Sequence, residues 1–70
     1  MSKWYVLSFD RGDIIIFHFK AKDTDNAYQI FEEDIQTNFS TDILLDESDF
    51  EKMRKMLKNY KGEQDYGGIK

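Results

Sequence analysis

Two runs rich in aromatic and β-branched residues, 3–9 and 14–22, are separated only by Asp10-Arg-Gly-Asp13. Nothing else in the chain restricts its fold as strongly. Such residues suit a pleated, half-buried surface. Gly12 supplies the positive φ that a tight connection needs, and the flanking aspartates suit a turn. The N-terminal part therefore reads as a β-hairpin. Side chains alternate along a strand, so each ribbon presents two sets. Tyr5, Leu7 and Phe9 with Ile15, Phe17 and Phe19 form the expected core face. Trp4, Val6, Ile14, Ile16 and His18 form the other. That second face is more apolar than the wet side of an antiparallel sheet should be, which marks it as an expected docking surface.

At 70 residues the chain makes one domain. A chain of this length buries only about 60% of its unfolded surface. A small core without staples often recruits another subunit, so homodimerisation through the Trp4 face is expected. Cysteine is absent, which fits a reducing compartment. The first residues lack the apolar run of a signal peptide, and no stretch is long enough to span a bilayer. The expected location is the cytoplasm.

After the hairpin, Asp23-Thr-Asp-Asn26 has the capping residues and early acids of a helix start. Ala27, Ile30, Phe31 and Ile35 follow at helical spacing, and the helix is expected to end within 36–38. Residues 39–42 are a connector. Ile43-Leu44-Leu45 is a third strand or an extended segment against the core. Asp46-Glu47-Ser48 opens a second helix, where Ser48-x-x-Glu51 matches a capping box. Phe50, Met53, Met56, Leu57 and Tyr60 give that helix an apolar stripe, and Gly62 is a natural stop. The expected fold is α+β in the order ββαβα: a small antiparallel sheet with two helices packed on one face. A right-handed crossover is expected wherever the third segment runs parallel to the second strand. The domain would span 1–62, with 63–70 a flexible tail.

Charge is unevenly placed. The formal net charge is −4, and between residues 23 and 51 there is no Lys or Arg. Asp25, Glu32, Glu33, Asp34, Asp42, Asp46 and Glu47 make up the candidate acidic surface. Glu32, Glu33 and Asp34 sit in the last turns of the first helix, where the dipole opposes them by about 0.3–1 kcal/mol each. Salt bridges to Lys52, Arg54, Lys55, Lys58 or Lys61 are the structural explanation. Presentation to a basic partner is the functional one.

The residues for catalysis are thin. His18 is the single histidine, with no nucleophile and orienting acid spaced to act with it. Asp23-x-Asp25 and Asp46-Glu47-x-Asp49 lack the glycine of a calcium loop, and helix starts explain these acids. No phosphate-binding glycine loop is present. Arg11-Gly12-Asp13 and the sequon at Asn38 carry meaning only outside a cell. No enzyme activity, metal or cofactor is expected. The leading expectation is a protein-interaction module that docks through the Trp4 face and offers an acidic helix to a basic protein. The alternative is an inhibitor of the phage or mobile-element type that mimics nucleic acid. A third reading is weak nucleic-acid binding, with Trp4 and His18 as a stacking platform and Lys52 to Lys61 on phosphates. The acidic middle of the chain argues against it.

Overall fold

The computed structural model describes residues 1–35, 42–57 and 60–65. Strands β1 (Ser2–Asp10) and β2 (Asp13–Ala21) form the expected hairpin. Asp10 pairs with Asp13, so the loop is Arg11-Gly12 alone. Their φ angles are 52° and 87°. Two positive values are the mark of a type I′ turn, whose twist matches that of the strands it joins. Gly12 adopts this backbone freely. Arg11 carries a Cβ into the left-handed region, at about 1–2 kcal/mol.

That loop length decides which side chains share a face. Across a two-residue loop, odd-numbered residues of β1 face even-numbered residues of β2. Tyr5 lies opposite His18, Leu7 opposite Ile16 and Phe9 opposite Ile14. Trp4 lies opposite Phe19, Val6 opposite Phe17 and Ser8 opposite Ile15. Both expected faces are therefore split. The alternation within each strand holds, but the sets combine the other way, because a one-residue change of register swaps a strand's faces.

Helix α1 (Thr24–Ile30) starts as expected, and its axis continues as a π-helical turn, Phe31–Ile35. Asp23 is its N-cap, accepting from the Asn26 N–H at 2.8 Å, while the Asn26 Oδ1 accepts from the Lys22 N–H at 3.0 Å. The expected end at 36–38 lies outside the described residues. Strand β3 (Ile43–Asp46) confirms the short third strand. Helix α2 (Glu47–Arg54) is capped by Asp46, whose carboxylate accepts from the Asp49 N–H at 2.8 Å. The cap is thus two residues earlier than the Ser48 capping box. Strand β4 (Tyr60–Asp65) follows.

The fold is α+β and the order ββαβα is present, with β4 added at its end. The sheet has four strands in the order β3-β1-β2-β4. β3 pairs antiparallel with β1, and β4 pairs parallel with β2, so the sheet is mixed rather than purely antiparallel. Two boundaries move. The second helix ends at Arg54 rather than near Gly62, and β4 runs through the expected border between domain and tail at 62 and 63.

The helices do not share a face. Ala27, Ile30 and Phe31 of the α1 segment pack with Val6, Phe19 and Ala21, joined by Trp4, Phe17 and Leu44. Phe50 of α2 packs with Tyr5, Leu7 and Ile16, joined by Ile14, Leu45, Met53, Leu57 and Tyr60. The physical reason is the handedness of crossovers. β2, β3 and β4 all point the same way, so α1 joins β2 to β3 and α2 joins β3 to β4 as parallel crossovers. The first crosses the sheet toward one edge and the second crosses back to the other. Two connections of the same hand that travel in opposite directions must use opposite faces. Without β4 in the sequence reading, only one crossover was in view, and one face sufficed.

Candidate interaction surfaces

The five residues expected to form one docking face are divided by the sheet. Trp4 and Val6 belong to the α1 side; Ile14, Ile16 and His18 belong to the α2 side. Val6 and Ile16 are fully buried at 0% exposure. Trp4, Ile14 and His18 are half-buried. The chain's own helices supply this cover. Trp4 and His18 stand on opposite faces, so they form no common stacking platform for bases. His18 instead meets the Tyr5 ring at 6.2 Å and places its Nδ1 3.9 Å from the Asp65 carboxylate, tying β2 to β4.

The α2 side is an aromatic and cationic stack. Tyr5 and Phe50 lie face to face, centroids 3.7 Å apart and planes within 8°. The Lys3 ammonium sits 5.6 Å from the Tyr5 centroid, and the Arg54 guanidinium 5.1 Å from that of Phe50. Both contacts put a cation over a ring face. Arg54 also pairs with Glu51 at 3.7 Å and with Glu63 of β4. Lys20 lies directly opposite Lys3 on this same face.

α2 mixes Glu47, Asp49 and Glu51 with Lys52, Arg54 and Lys55, whereas α1 carries acids alone. From Thr24 to Ile35 there are four acids and no Lys or Arg. Asp25, Glu32 and Glu33 are exposed, as is the cap Asp23, while Ala27, Ile30 and Phe31 turn inward. Asp34 lies in the π-helical turn. The expected salt bridges to the second helix do not form for Glu32 and Glu33 among the described residues, because the sheet stands between α1 and α2. The other candidate acids are elsewhere. Asp42 is half-buried just before β3, with no hydrogen-bond donor in reach of either carboxylate oxygen among the described residues. Asp46 is occupied in capping α2, and Glu47 is exposed in its first turn, on the far side of the sheet from α1.

One surface residue escaped the sequence reading. Tyr28 is 50% exposed, three residues after Asp25 and four before Glu32, which places all three on neighbouring turns. Its signal was negative: it lies off the Ala27, Ile30, Phe31 stripe, so a helix of this pattern turns a tyrosine to water. Large amphipathic side chains in that position are common energetic anchors of interfaces.

No known protein family, curated protein or solved structure matches the chain. Among the described residues, no helix is long and apolar enough to cross a membrane.

Proposed function

We propose that this chain is a small, non-enzymatic, cytoplasmic interaction protein whose working surface is the outer side of α1. The observation that carries this reading is a helix whose exposed charges are all acidic, set around Tyr28, whereas α2 mixes exposed Glu47, Asp49 and Glu51 with Lys52, Arg54 and Lys55. Asp25, Glu32 and Glu33 attract a basic partner, and Tyr28 offers it a ring for a guanidinium or an apolar side chain. Docking through a Trp4 face gives way to this surface, since both sheet faces are already occupied by helices.

The test is titration with an arginine-rich peptide, followed by calorimetry at low and moderate salt. The double variant Asp25→Lys, Glu32→Lys weakens binding by about tenfold or more, whereas Glu47→Lys, Asp49→Lys on α2 changes it about twofold at most. Tyr28→Ala weakens it without altering the salt slope. Equal losses from the two charge reversals refute the reading, since net charge alone would then account for binding. An oligonucleotide that competes for the natural basic partner marks the surface as a nucleic-acid mimic.

A further inference from the structure

The carboxyl ends of β2 and β3 lie at the same end of the sheet, with only the start of β1 between them. There Lys20 pairs with Lys3, and Asp46 with Trp4. From these two ends the chain leaves in opposite senses. α1 follows β2 onto one face, and α2 follows β3 onto the other. Connections that diverge in this way leave a gap beyond the strand ends, because each helix covers a different face. In open twisted sheets flanked by helices, that gap is where ligands bind. A crevice of about 640 Å³ opens at this place, within the range of roughly 300–1,000 Å³ for sites that hold small molecules. Strand order and surface shape thus mark the same spot independently.

The lining carries both signs of charge, on separate elements. Lys3 of β1 and Lys20 of β2 are direct cross-strand partners of like charge, an arrangement that costs stability. Lys20 is exposed and in no ion pair among the described residues. Asp46 ends β3 and Glu47 opens α2. The Asp46 Oδ1 is committed to the Asp49 N–H. Glu47 is exposed and in no ion pair among the described residues. A simple anion is opposed here by the two acids, and a simple cation by the two lysines. A molecule with a carboxylate at one end and an ammonium at the other satisfies both. Trp4, half-buried, is the aromatic part of the lining.

We propose that this crevice binds a small zwitterion of the amino-acid type, a free amino acid or a short peptide with both ends ionised. Its carboxylate lies at Lys3 and Lys20 and relieves their mutual repulsion. Its ammonium lies at Glu47, with the charge of Asp46 beside it. The site shares no residue with the α1 surface and does not depend on it.

Trp4 is the single tryptophan, so the site carries its own reporter. Leucine and leucylalanine are titrated into the full chain and followed by Trp4 fluorescence and by backbone amide shifts. Binding in the millimolar range is expected, with shift changes concentrated at Lys3, Lys20 and Glu47. The tighter of the two probes tells free amino acid from peptide. N-acetylleucine lacks the ammonium and leucinamide lacks the carboxylate. Each binds about fivefold more weakly than leucine, the upper range for one exposed ion pair. Lys20→Ala removes the preference for leucine over leucinamide, and Glu47→Gln removes that over N-acetylleucine; a structural defect weakens all the ligands alike. Asp25→Lys with Glu32→Lys leaves both preferences intact, which separates this site from the α1 surface. The absence of shift changes with both probes overturns the proposal. So do blocked ligands that bind as well as leucine, and so does inorganic phosphate that binds more tightly than either probe, the mark of a plain anion site. Should Lys20→Ala fail to fold by circular dichroism, Lys20→Gln takes its place.

Discussion

Val6 and Leu7 are neighbours in β1 whose side chains point to opposite faces, and both are 0% exposed. Replacing each in turn by alanine tests whether the sheet has two cores. Leu7→Ala removes a side chain packed with Tyr5, Ile16 and Phe50, and losses of this kind run at about 2–5 kcal/mol. Val6→Ala removes two methyl groups among Phe19, Ala21 and the α1 residues. At about 0.8 kcal/mol per buried methylene plus a cavity contribution, it loses about 1.5–3 kcal/mol. A domain of this length has roughly 4–10 kcal/mol of stability in total. Either change is therefore a large fraction of it. Urea unfolding followed through Trp4, the single tryptophan, is the assay. With a slope of about 1 kcal/mol/M, the midpoint falls by about 2 M or more for Leu7→Ala and about 1.5 M or more for Val6→Ala. A sheet with helices on one face and water on the other predicts a large loss at only one of two adjacent positions. A change below about 0.5 kcal/mol at either site, the range of ordinary surface substitutions, refutes the two-sided packing.

Three other outcomes follow from local geometry. Arg11→Asn stabilises the hairpin by up to about 1 kcal/mol, since asparagine tolerates the left-handed backbone that Arg11 occupies; a thermal melt that moves down contradicts the type I′ turn. Asp46→Ala costs about 1 kcal/mol by removing the cap of α2, whereas Ser48→Ala leaves the urea midpoint nearly unchanged; the reverse ranking would restore the capping box. Glu32→Lys with Glu33→Lys lowers folding stability by no more than about 0.5 kcal/mol, because among the described residues neither acid is in an ion pair; a larger loss in the same unfolding assay means that these acids hold the fold together.

Much of the candidate site was legible as composition but not as place. The acids between 23 and 51 were visible as a block, and Asp25, Glu32 and Glu33 do reach solvent on one helix. Asp46 looked like one more surface acid, yet its carboxylate is taken by a backbone N–H, a role set by where α2 begins. The expected pairing of Glu32 and Glu33 with the second helix is absent among the described residues, because sequence proximity says nothing about which side of a sheet a helix takes. Tyr28 gave only the faint sign of missing from the apolar stripe. Tyr60 was misread outright: its helical spacing from Phe50, Met53 and Met56 is real, but pairing with the β2 edge outweighed it, and tertiary hydrogen bonds routinely override a local preference worth a few tenths of a kcal/mol per residue.

The residues alone determined the hairpin, the alternation within each strand, the cap that starts α1 and the apolar stripe of α1, because each is set by the chemistry of groups a few positions apart. Only the assembled sheet decided how those pieces combine. The two-residue turn fixed which alternate sets share a face, and the return of the chain to β4 obliged the second crossover to use the face opposite the first. Register parity and crossover hand are properties of strands in pairs and of connections in space, so no single segment carries them.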